Sequence, residues 1–241
     1  MKYKNIPRLY VNKGLKRDSI FAISNKDKHH LCNVMRMKEG ECIKVFNGID
    51  GEWEAIIHST RESSIKCTKQ IRKQEFYCGP SLYFAIIKSN NLKWMIEKVT
   101  ELGVSRLIPV ITERTNVKDI NRYKIIAYTK EASEVSERLE LPTLENKITF
   151  NEMITKITDE DNTLLFCNEN REDPYLHESL IQQKEKNISF LIGPEGGFSE
   201  KELIMLKSKK KIIPVKLNNR ILRADTASVL VISAYNLFLN I

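Results

Sequence analysis

The residues best suited to chemistry form two short segments near the carboxyl end of the chain. The first is the glycine-rich turn GPEGG at residues 193–197, which directly follows the apolar run ISFLI. A turn of this kind lets the backbone approach a ligand closely. The second segment follows the apolar residues 212–217 and contains Arg220 and Arg223. Because guanidinium groups attract negatively charged oxygens, the two segments together could hold a small ligand beside an anionic group.

Two interpretations of the glycine-rich turn remain open at this level. Ser199 and Glu202 have the spacing of a capping box, which predicts that a helix begins here with free N–H groups facing the space beyond the strand. The same glycines would also suit a plain turn between a strand and a helix. The cationic second segment favours a binding site, because the loops that leave parallel strands meet at one edge of a sheet.

Hydrophobic periodicity predicts two parts with different construction. Up to residue 72, short alternating runs predict strands at 8–11, 19–23, 42–46, 52–58 and 64–68, with one helix at 27–37. This pattern fits a small basic β-barrel. After residue 80, strands predicted at 82–87, 106–111, 163–167, 188–192 and 212–217 alternate with helices at 91–102, 121–138, 151–157, 175–183, 199–209 and 225–239. We therefore expect a domain at 1–72, a linker at 73–80, and an α/β domain at 81–241 with a mostly parallel sheet covered on both faces.

The positive charge is concentrated in the first part of the chain. The formal net charge is +8, and residues 1–78 hold 16 Lys and Arg against 9 Asp and Glu, whereas residues 79–241 hold 23 against 22. Hydrophobic residues at 41% and charged residues at 29% are ordinary for a globular protein. The asymmetry favours contact with a polyanion such as a nucleic acid, although a lysine-rich solubilising surface would have the same composition.

Several other classes of protein are disfavoured. Five cysteines without metal-ligand spacing indicate reduced thiols in the cytoplasm and no structural zinc. His29 and His30 cannot readily share an ion, because adjacent helical positions point roughly 100° apart. The amino terminus lacks the apolar core of a signal peptide, and the most apolar stretch, residues 227–241, is shorter than a bilayer span. We expect this stretch to be a core or interface helix, with no metal and no membrane partner.

The two chemistry-bearing segments resemble those of the RsmE family, the 16S rRNA (uracil-N3)-methyltransferases of the SPOUT superfamily. The resemblance rests on IGPEGGFS at residues 192–199 and LNNRILRADTA at 217–227. It extends to HHLCNVMRMKEG at 29–40, LKWMIEKVTELGVSRLIPVITERTNVK at 92–118 and EASEVSER at 131–138. With these blocks in the family's order, the resemblance covers essentially the whole chain.

The resemblance implies a fold, a reaction and partners. The fold is a SPOUT-type methyltransferase domain with a mostly parallel sheet and a trefoil knot, preceded by a small PUA-like β-barrel domain that binds RNA. The implied enzyme, of class EC 2.1.1, uses S-adenosyl-L-methionine to methylate N3 of a specific uridine in the decoding region of 16S rRNA, in free rRNA or in the small ribosomal subunit. A homodimer is implied as well, in which a second copy covers the apolar last helix.

The resemblance also implies roles for individual residues. Arg220 would stabilise the uracil anion, with Glu195 or Asp225 as proton acceptor or orienting group. Each has a simpler alternative: Arg220 would position an RNA phosphate, Glu195 would cap a helix, and Asp225 would complement a helix dipole.

The remaining implied residues fall into two groups. The cofactor pocket would be formed by residues that follow three strands: Phe166, Cys167, Ile192, Gly193, Pro194, Gly196, Gly197, Leu217, Asn218, Ile221, Leu222 and Thr226. RNA would contact basic residues spread over both parts: Arg8, His29, His30, Arg36, Lys38, Arg114, Arg138 and Arg223.

Three positions depart from the family's usual pattern. Asn218-Asn219 stands where the family has Gly-Pro, Ala224-Asp225 where it has Thr-Glu, and Val135-Ser136-Glu137 where it has Gln-Ser-Gly. Two alternatives to the main prediction therefore remain. One is a catalytically inactive rRNA-binding or ribosome-assembly protein, and the other is a SPOUT methyltransferase that modifies a different RNA position.

Overall fold

Two sheets of different construction, one in each of two folded units, organise the chain. A computed structural model describes residues 6–159, 162–168, 172–183 and 187–239. The first unit comprises residues 1–76 and 133–141, and the second comprises residues 77–132 and 142–241. Each unit has its own hydrophobic core.

The first unit is a five-stranded, mostly antiparallel sheet in the order β1-β3-β4-β5-β2. Its strands are β1 (Arg8–Tyr10), β2 (Ile20–Ala22), β3 (Cys42–Phe46), β4 (Glu52–Ser59) and β5 (Ser64–Arg72). Alternate residues point to the core, so that Ile43, Val45 and Ala55 are fully buried. Only the β1–β3 pair is parallel among these strands.

The single helix predicted for the first unit has an unusual form. A short helix α1 (Asn25–Lys28) begins at the N-cap Ser24 and continues as a π-helix over His29–Val34. The backbone N–H of Met35 donates to the carbonyl of His30 at 2.9 Å, a wider turn than that of an α-helix. Leu31 is buried within this turn, whereas His29 and His30 are exposed.

The second unit is a seven-stranded parallel sheet in the order β12-β10-β11-β6-β7-β8, with β9 also paired to β7. Its strands are β6 (Ser81–Ala85), β7 (Arg106–Ile111), β8 (Thr143–Leu144), β9 (Ile148–Thr149), β10 (Thr163–Cys167), β11 (Ile188–Ile192) and β12 (Ile212–Val215). The mostly parallel α/β sheet predicted from the alternating pattern is therefore confirmed. The very short strands β8 and β9 were not predicted, because two residues carry no periodicity.

Strand alternation divides the second unit's core into two layers. Phe84 and Phe190 point to one face of the sheet, and their neighbours Tyr83 and Leu191 point to the other. All four side chains are almost completely buried. Since both faces are covered, the strands consist of continuous apolar runs.

Six helices pack around this sheet. They are α2 (Ser89–Glu101), α3 (Arg122–Val135), α4 (Phe150–Asp159), α5 (Leu176–Gln182), α6 (Glu200–Lys207) and α7 (Ala224–Leu239). Helix α3 ends three residues before the predicted boundary at Arg138. The backbone of Glu137 is left-handed with φ of 60°, and this conformation cannot continue a right-handed helix.

Helix α7 is only partly covered by its own unit. Val231 and Ile232 are fully buried against the sheet, whereas 75% of Leu237 and 41% of Phe238 are exposed. The amide of Asn236 is satisfied locally, because Tyr77 donates to its oxygen at 3.0 Å and its nitrogen donates to the carbonyl of Leu102 at 2.7 Å. Within the described ranges, no helix combines the length and apolar character that crossing a membrane requires.

Candidate functional site

A pocket of about 690 Å³ lies at the carboxyl ends of β10, β11 and β12. These strands are adjacent and parallel, so the loops that follow them leave the same edge of the sheet. The convergence of the two segments in one crevice, expected from sequence, is thus observed. A pocket of this size is typical of small-molecule sites.

The glycine-rich turn after β11 has a geometry that only glycine adopts easily. Gly197 has φ of 69°, and a Cβ atom on Gly193 would lie 2.9 Å from the ring of Phe198. Phe198 is buried under the turn and packs edge-on against Phe166 at a centroid distance of 6.2 Å. The turn can therefore lie close above this ring while its backbone faces the pocket.

Helix α6 anchors the same turn through the predicted capping box. Ser199 accepts a hydrogen bond from the N–H of Glu202, and Glu202 accepts one from the N–H of Ser199 at 2.9 Å. Glu202 is only 6% exposed and also accepts the N–H of Glu113 at 2.8 Å. One buried carboxylate therefore ties the turn to the loop that follows β7.

Arg114 provides a second tie between these two loops. Its Nη1 donates to the carbonyl oxygen of Gly196 at 3.0 Å, and Arg114 itself lines the pocket. Next to it, the Thr112 N–H donates to the Thr115 hydroxyl at 3.0 Å, which holds the loop after β7 in a tight turn. Sequence resemblance predicted an RNA contact for Arg114, and the structure adds a structural role.

The loop after β12 contributes the cationic side of the pocket. The side-chain oxygen of Asn218 accepts the N–H of Arg220 at 3.2 Å, which turns the chain locally. Arg220 and Arg223 both line the pocket and are exposed. Throughout the described ranges, no carboxylate or carbonyl engages either guanidinium group, so both remain available to a ligand.

The two carboxylates assigned to the site differ in their surroundings. Glu195 is exposed at the tip of the glycine-rich turn, and its carboxylate has no partner within the described residues. Asp225 lies in the first turn of α7, where its Oδ1 accepts the N–H of Thr226 at 2.7 Å. This bond favours an orienting or helix-end role for Asp225 and leaves Glu195 as the freer proton acceptor.

Cys167 marks the end of β10 at the pocket wall. Burial raises the pKa of its thiol well above the usual range, because the thiolate would lose its hydration there. The thiol therefore stays neutral at physiological pH and acts as an apolar wall rather than as a nucleophile.

Most residues predicted for the cofactor pocket do line it. The structure places at its wall Cys167, Ile192, Gly193, Pro194, Gly196, Gly197, Leu217, Asn218, Ile221 and Leu222. Two predicted residues are not among those that line the pocket, and their contact with the cofactor stays a prediction. Phe166 points to the opposite face of the sheet and is fully buried, because successive strand residues alternate. Thr226 is exposed outside the pocket, and its hydroxyl donates to Asp225 at 3.3 Å.

The predicted RNA contacts also divide into two groups. His29, His30, Arg36 and Lys38 are exposed on the first unit, as a nucleic-acid contact requires. Arg8 differs, because its side chain is 6% exposed and its Nε donates to the Glu52 carboxylate at 2.5 Å. Its two terminal nitrogens donate to main-chain carbonyls of residues 133, 134 and 138.

Arg138 is similarly occupied. Its side chain is 9% exposed and pairs with Glu140 at 3.2 Å. These contacts give Arg8 and Arg138 structural roles, while the RNA contacts predicted for both residues stay predictions. Sequence alone could not reveal this difference, since the partners are up to 130 residues away.

Pocket residues that sequence reasoning missed come mainly from outside the two segments. Ile87 follows β6, Asn91 lies in the first turn of α2, and Asn168 follows β10. Asn91 and Asn168 would have been found by extending the strand-end argument to every strand next to β11. In the part of the chain that the structure describes, no group of three or more His, Cys, Asp and Glu side chains is arranged to hold a metal ion.

The arrangement suits a ligand with a flat polar base and a sugar. Gly193, Gly196 and Leu217 line the pocket together with the apolar residues Ile192 and Leu222. Two guanidinium groups that have no partner in the described part of the chain lie at one side, and they favour a second group that is anionic or becomes anionic during reaction. The site therefore combines a nucleoside-sized cup with electrostatic stabilisation of negative charge.

Comparison with known proteins agrees with this description. The family model for an RNA methyltransferase domain matches residues 78–236, and that for an RNA methyltransferase PUA domain matches residues 23–70. The ribosomal RNA small subunit methyltransferase E of Rickettsia conorii is 32% identical over 98% of this chain and 96% of its own length. That of Bacillus subtilis is 29% identical over 89% of this chain and 88% of its own length.

A solved structure has the same fold over nearly the whole length. The ribosomal RNA small subunit methyltransferase E from Neisseria gonorrhoeae, bound to S-adenosyl methionine, superimposes with a TM-score of 0.84 at 26% identity. The match covers 97% of this chain and 98% of the other. By its sequence, its domain composition and its fold, this chain belongs to the ribosomal RNA small subunit methyltransferase E family.

Proposed function

We propose that this protein transfers a methyl group from S-adenosyl-L-methionine to N3 of a uridine in the decoding region of 16S rRNA. The observation that carries the proposal is the pocket between three parallel strand ends, with Arg220 and Arg223 at its edge and without partners among the described residues. Family membership supports the same reaction, and the Neisseria relative binds this cofactor.

The pocket residues fit the cofactor in both size and chemistry. The volume of about 690 Å³ is ample for an adenosine with an amino-acid arm. The adenine and ribose would be held by main-chain groups of the turn at 193–197 and of the loop at 217–222. Gly193 already lies against Phe198 in this structure, so a side chain there would displace the turn. When bound, S-adenosylmethionine supplies a methyl group on a positively charged sulfur.

Arg220 stabilises the reacting base. Uracil N3 carries a proton in the neutral base, and this proton must leave before the nitrogen lone pair can form the new N–C bond. The negative charge then spreads onto the neighbouring carbonyl oxygens. A guanidinium with no partner of its own among the described residues can donate to those oxygens without first breaking an ion pair.

Glu195 is the proposed proton acceptor. Its carboxylate is exposed at the pocket edge and makes no bond that would have to be given up within the described part of the chain. Asp225 stabilises the first turn of α7 through its bond to the Thr226 N–H. Arg223, next in the same loop, holds a phosphate of the substrate RNA.

The first unit supplies general affinity for RNA. We propose that the domain boundaries follow the predicted division into 1–72, 73–80 and 81–241, with the exposed side chains of His29, His30, Arg36 and Lys38 facing the rRNA. Arg36 and Lys38 belong to the net excess of 7 positive residues over 1–78, which supports attraction to phosphate. The substrate is free 16S rRNA or the small subunit, and the protein acts in the cytoplasm.

A homodimer completes the proposal. Helix α7 leaves Leu237 and Phe238 partly exposed at its end, and the apolar Ile181 on α5 is 59% exposed. A second copy that covers these side chains would remove apolar area from water. Sedimentation of the full chain would detect the dimer, and the change Leu237→Asp should shift it to the monomer.

Mass spectrometry of 16S rRNA tests the reaction. In a strain lacking the gene, the uridine should carry no N3-methyl group, and the wild-type gene should restore it. A gene encoding Arg220→Ala should not restore it at equal protein level. Restoration of a methyl group at another position would contradict the proposed target, and full restoration by Arg220→Ala would contradict the role of this residue.

A further inference from the structure

The loop that carries Arg220 has few anchors in its middle. Leu217 and Leu222, near its ends, pack on the hydrophobic core. Between them, the side chain of Asn218 bonds only within the loop, to the N–H of Arg220. Among the described residues, one hydrogen bond joins this middle part to the rest of the protein: the Tyr175 hydroxyl donates to the side-chain oxygen of Asn219 at 2.8 Å.

Tyr175 is itself firmly held outside the pocket. It forms a parallel β-bridge with Lys216. The Lys216 N–H donates to the Pro174 carbonyl at 2.9 Å, and the Leu176 N–H donates to the Lys216 carbonyl at 3.0 Å. The Lys216 ammonium lies 4.1 Å from the centre of the tyrosine ring. The ring of His177 also stacks on the tyrosine ring, with a centroid distance of 5.6 Å. The ring is thus fixed, and its hydroxyl is aimed at Asn219.

We propose that Tyr175 is a positioning residue. Its hydrogen bond to Asn219 holds the loop at 217–223 in the conformation that forms the pocket. The expected effect of Tyr175 on cofactor binding rests on the proposed function. The structural part of the proposal, the ordering of the loop, is independent of any ligand.

Hydrogen exchange of the cofactor-free chain tests the ordering. Tyr175→Phe keeps the ring and its contacts with Lys216 and His177 but removes the hydroxyl. We expect amides at 217–223 to exchange about two- to tenfold faster than in the wild type, the range expected for one hydrogen bond. Asn219→Ala should have the same effect, whereas Asn219→Asp keeps an acceptor for the hydroxyl and should stay close to wild type.

Two further variants sharpen the test. Because Tyr175 and Asn219 act through one bond, the double variant Tyr175→Phe/Asn219→Ala should exchange no faster than either single variant. Tyr123→Phe removes a hydroxyl from a tyrosine that is 88% exposed and lies outside the pocket wall, and it should change nothing. Three results would each overturn the proposal. They are unchanged amide exchange in Tyr175→Phe, additive effects in the double variant, and faster exchange that extends equally to β11.

Calorimetry with S-adenosylmethionine separates this proposal from the proposed function. The dissociation constant should rise about two- to tenfold in Tyr175→Phe and Asn219→Ala, in step with loop exchange. If the wild type binds no cofactor while the exchange results hold, the proposed function fails and the positioning role stands. If the wild type binds but Tyr175→Phe binds equally well, the positioning role fails and the function stands.

Discussion

Arg8 and Arg138 of the first unit differ from the two arginines of the pocket loop, because their guanidinium groups already form hydrogen bonds or ion pairs within the protein. Arg8 is buried against Glu52 and three main-chain carbonyls, and Arg138 is paired with Glu140. Arg220 and Arg223 are exposed beside a pocket and have no partner among the described residues. The comparison indicates that the first pair stabilises the fold, whereas the second pair is free to act on a ligand.

The largest effect on stability should follow from the change Arg8→Met. It leaves the Glu52 carboxylate, 2% exposed, with only the more distant Arg72 guanidinium at 4.0 Å, and breaking a buried pair in this way lowers the free energy of unfolding by about 3–5 kcal/mol. Urea denaturation of the full chain measures this. Arg61→Met, at an exposed position of the same unit, is the matched control and should change the value by less than about 0.5 kcal/mol. If Arg8→Met lowers the free energy of unfolding by less than about 1 kcal/mol, the distinction between fold-stabilising and ligand-binding arginines would not hold.

Arg220→Ala should have the opposite effect to Arg8→Met, because it should lower activity strongly and leave stability almost unchanged. We expect methylation to fall by about 100- to 1000-fold, because the stabilisation of developing negative charge is lost, with an unfolding free energy within about 0.5 kcal/mol of wild type. The affinity for S-adenosylmethionine should stay within a few fold. Single-turnover kinetics on 16S rRNA measures the rate of methylation. A raised KM for RNA with an unchanged kcat would assign Arg220 to phosphate positioning, and a parallel loss of cofactor affinity would contradict its role on the base.

Glu145 tests whether the role of a charged side chain depends on the contacts it already makes, rather than on the unit in which it lies. In the second unit, it accepts hydrogen bonds from Lys156 at 2.6 Å and from Arg106 Nε at 2.7 Å. Burial alone would raise the pKa of this carboxyl, but the hydrogen bonds and charges of Lys156 and Arg106 outweigh it and hold the pKa below its usual range. The stabilisation is therefore present above the ordinary glutamate pKa and is lost as the pH falls through the lower pKa of the folded state.

The change Glu145→Gln should lower the unfolding free energy by about 1–2 kcal/mol at neutral pH, because it removes charge-assisted hydrogen bonds. The difference from wild type should shrink as the pH is lowered through the acid range, where the wild-type carboxyl becomes neutral as well. Urea denaturation at several pH values measures both quantities. A difference that stays constant with pH would show that the carboxylate charge contributes nothing.

The smallest effect should follow from Lys38→Ala. Its exposed ammonium has no partner in the described part of the first unit, so its loss should weaken rRNA binding by a similar factor for all sequences and leave stability unchanged. The slope of log affinity against log salt should fall by about 1 if one phosphate contact is lost. Binding measured over a salt series gives this slope, and an unchanged slope would exclude Lys38 from the RNA surface.

The parts of the fold that follow from local pattern were predictable from the sequence. Ser199 and Glu202 form the predicted capping box, and the apolar runs form the predicted parallel strands. The loops at 193–197 and 217–223 meet because parallel strands place their carboxyl ends together. The trefoil knot implied by the resemblance stays a prediction.

The parts that depend on distant partners were not predictable. Nothing local distinguishes Arg8 from Arg36, yet one is buried by carbonyls more than 120 residues away and the other is exposed. Phe166 and Cys167 are neighbours, and the one-residue register of β10 decides which of them reaches the pocket. The bond from Tyr175 to Asn219 likewise joins residues 44 positions apart.

Titration of S-adenosylmethionine into the full chain by calorimetry tests the central claim most directly. The pocket between β10, β11 and β12 predicts saturable binding of one cofactor per chain, and it predicts that Gly193→Val, which forces a side chain into the ring of Phe198, weakens that binding strongly. Absence of binding by the wild-type chain would contradict the account and favour an rRNA-binding protein without methyltransferase activity.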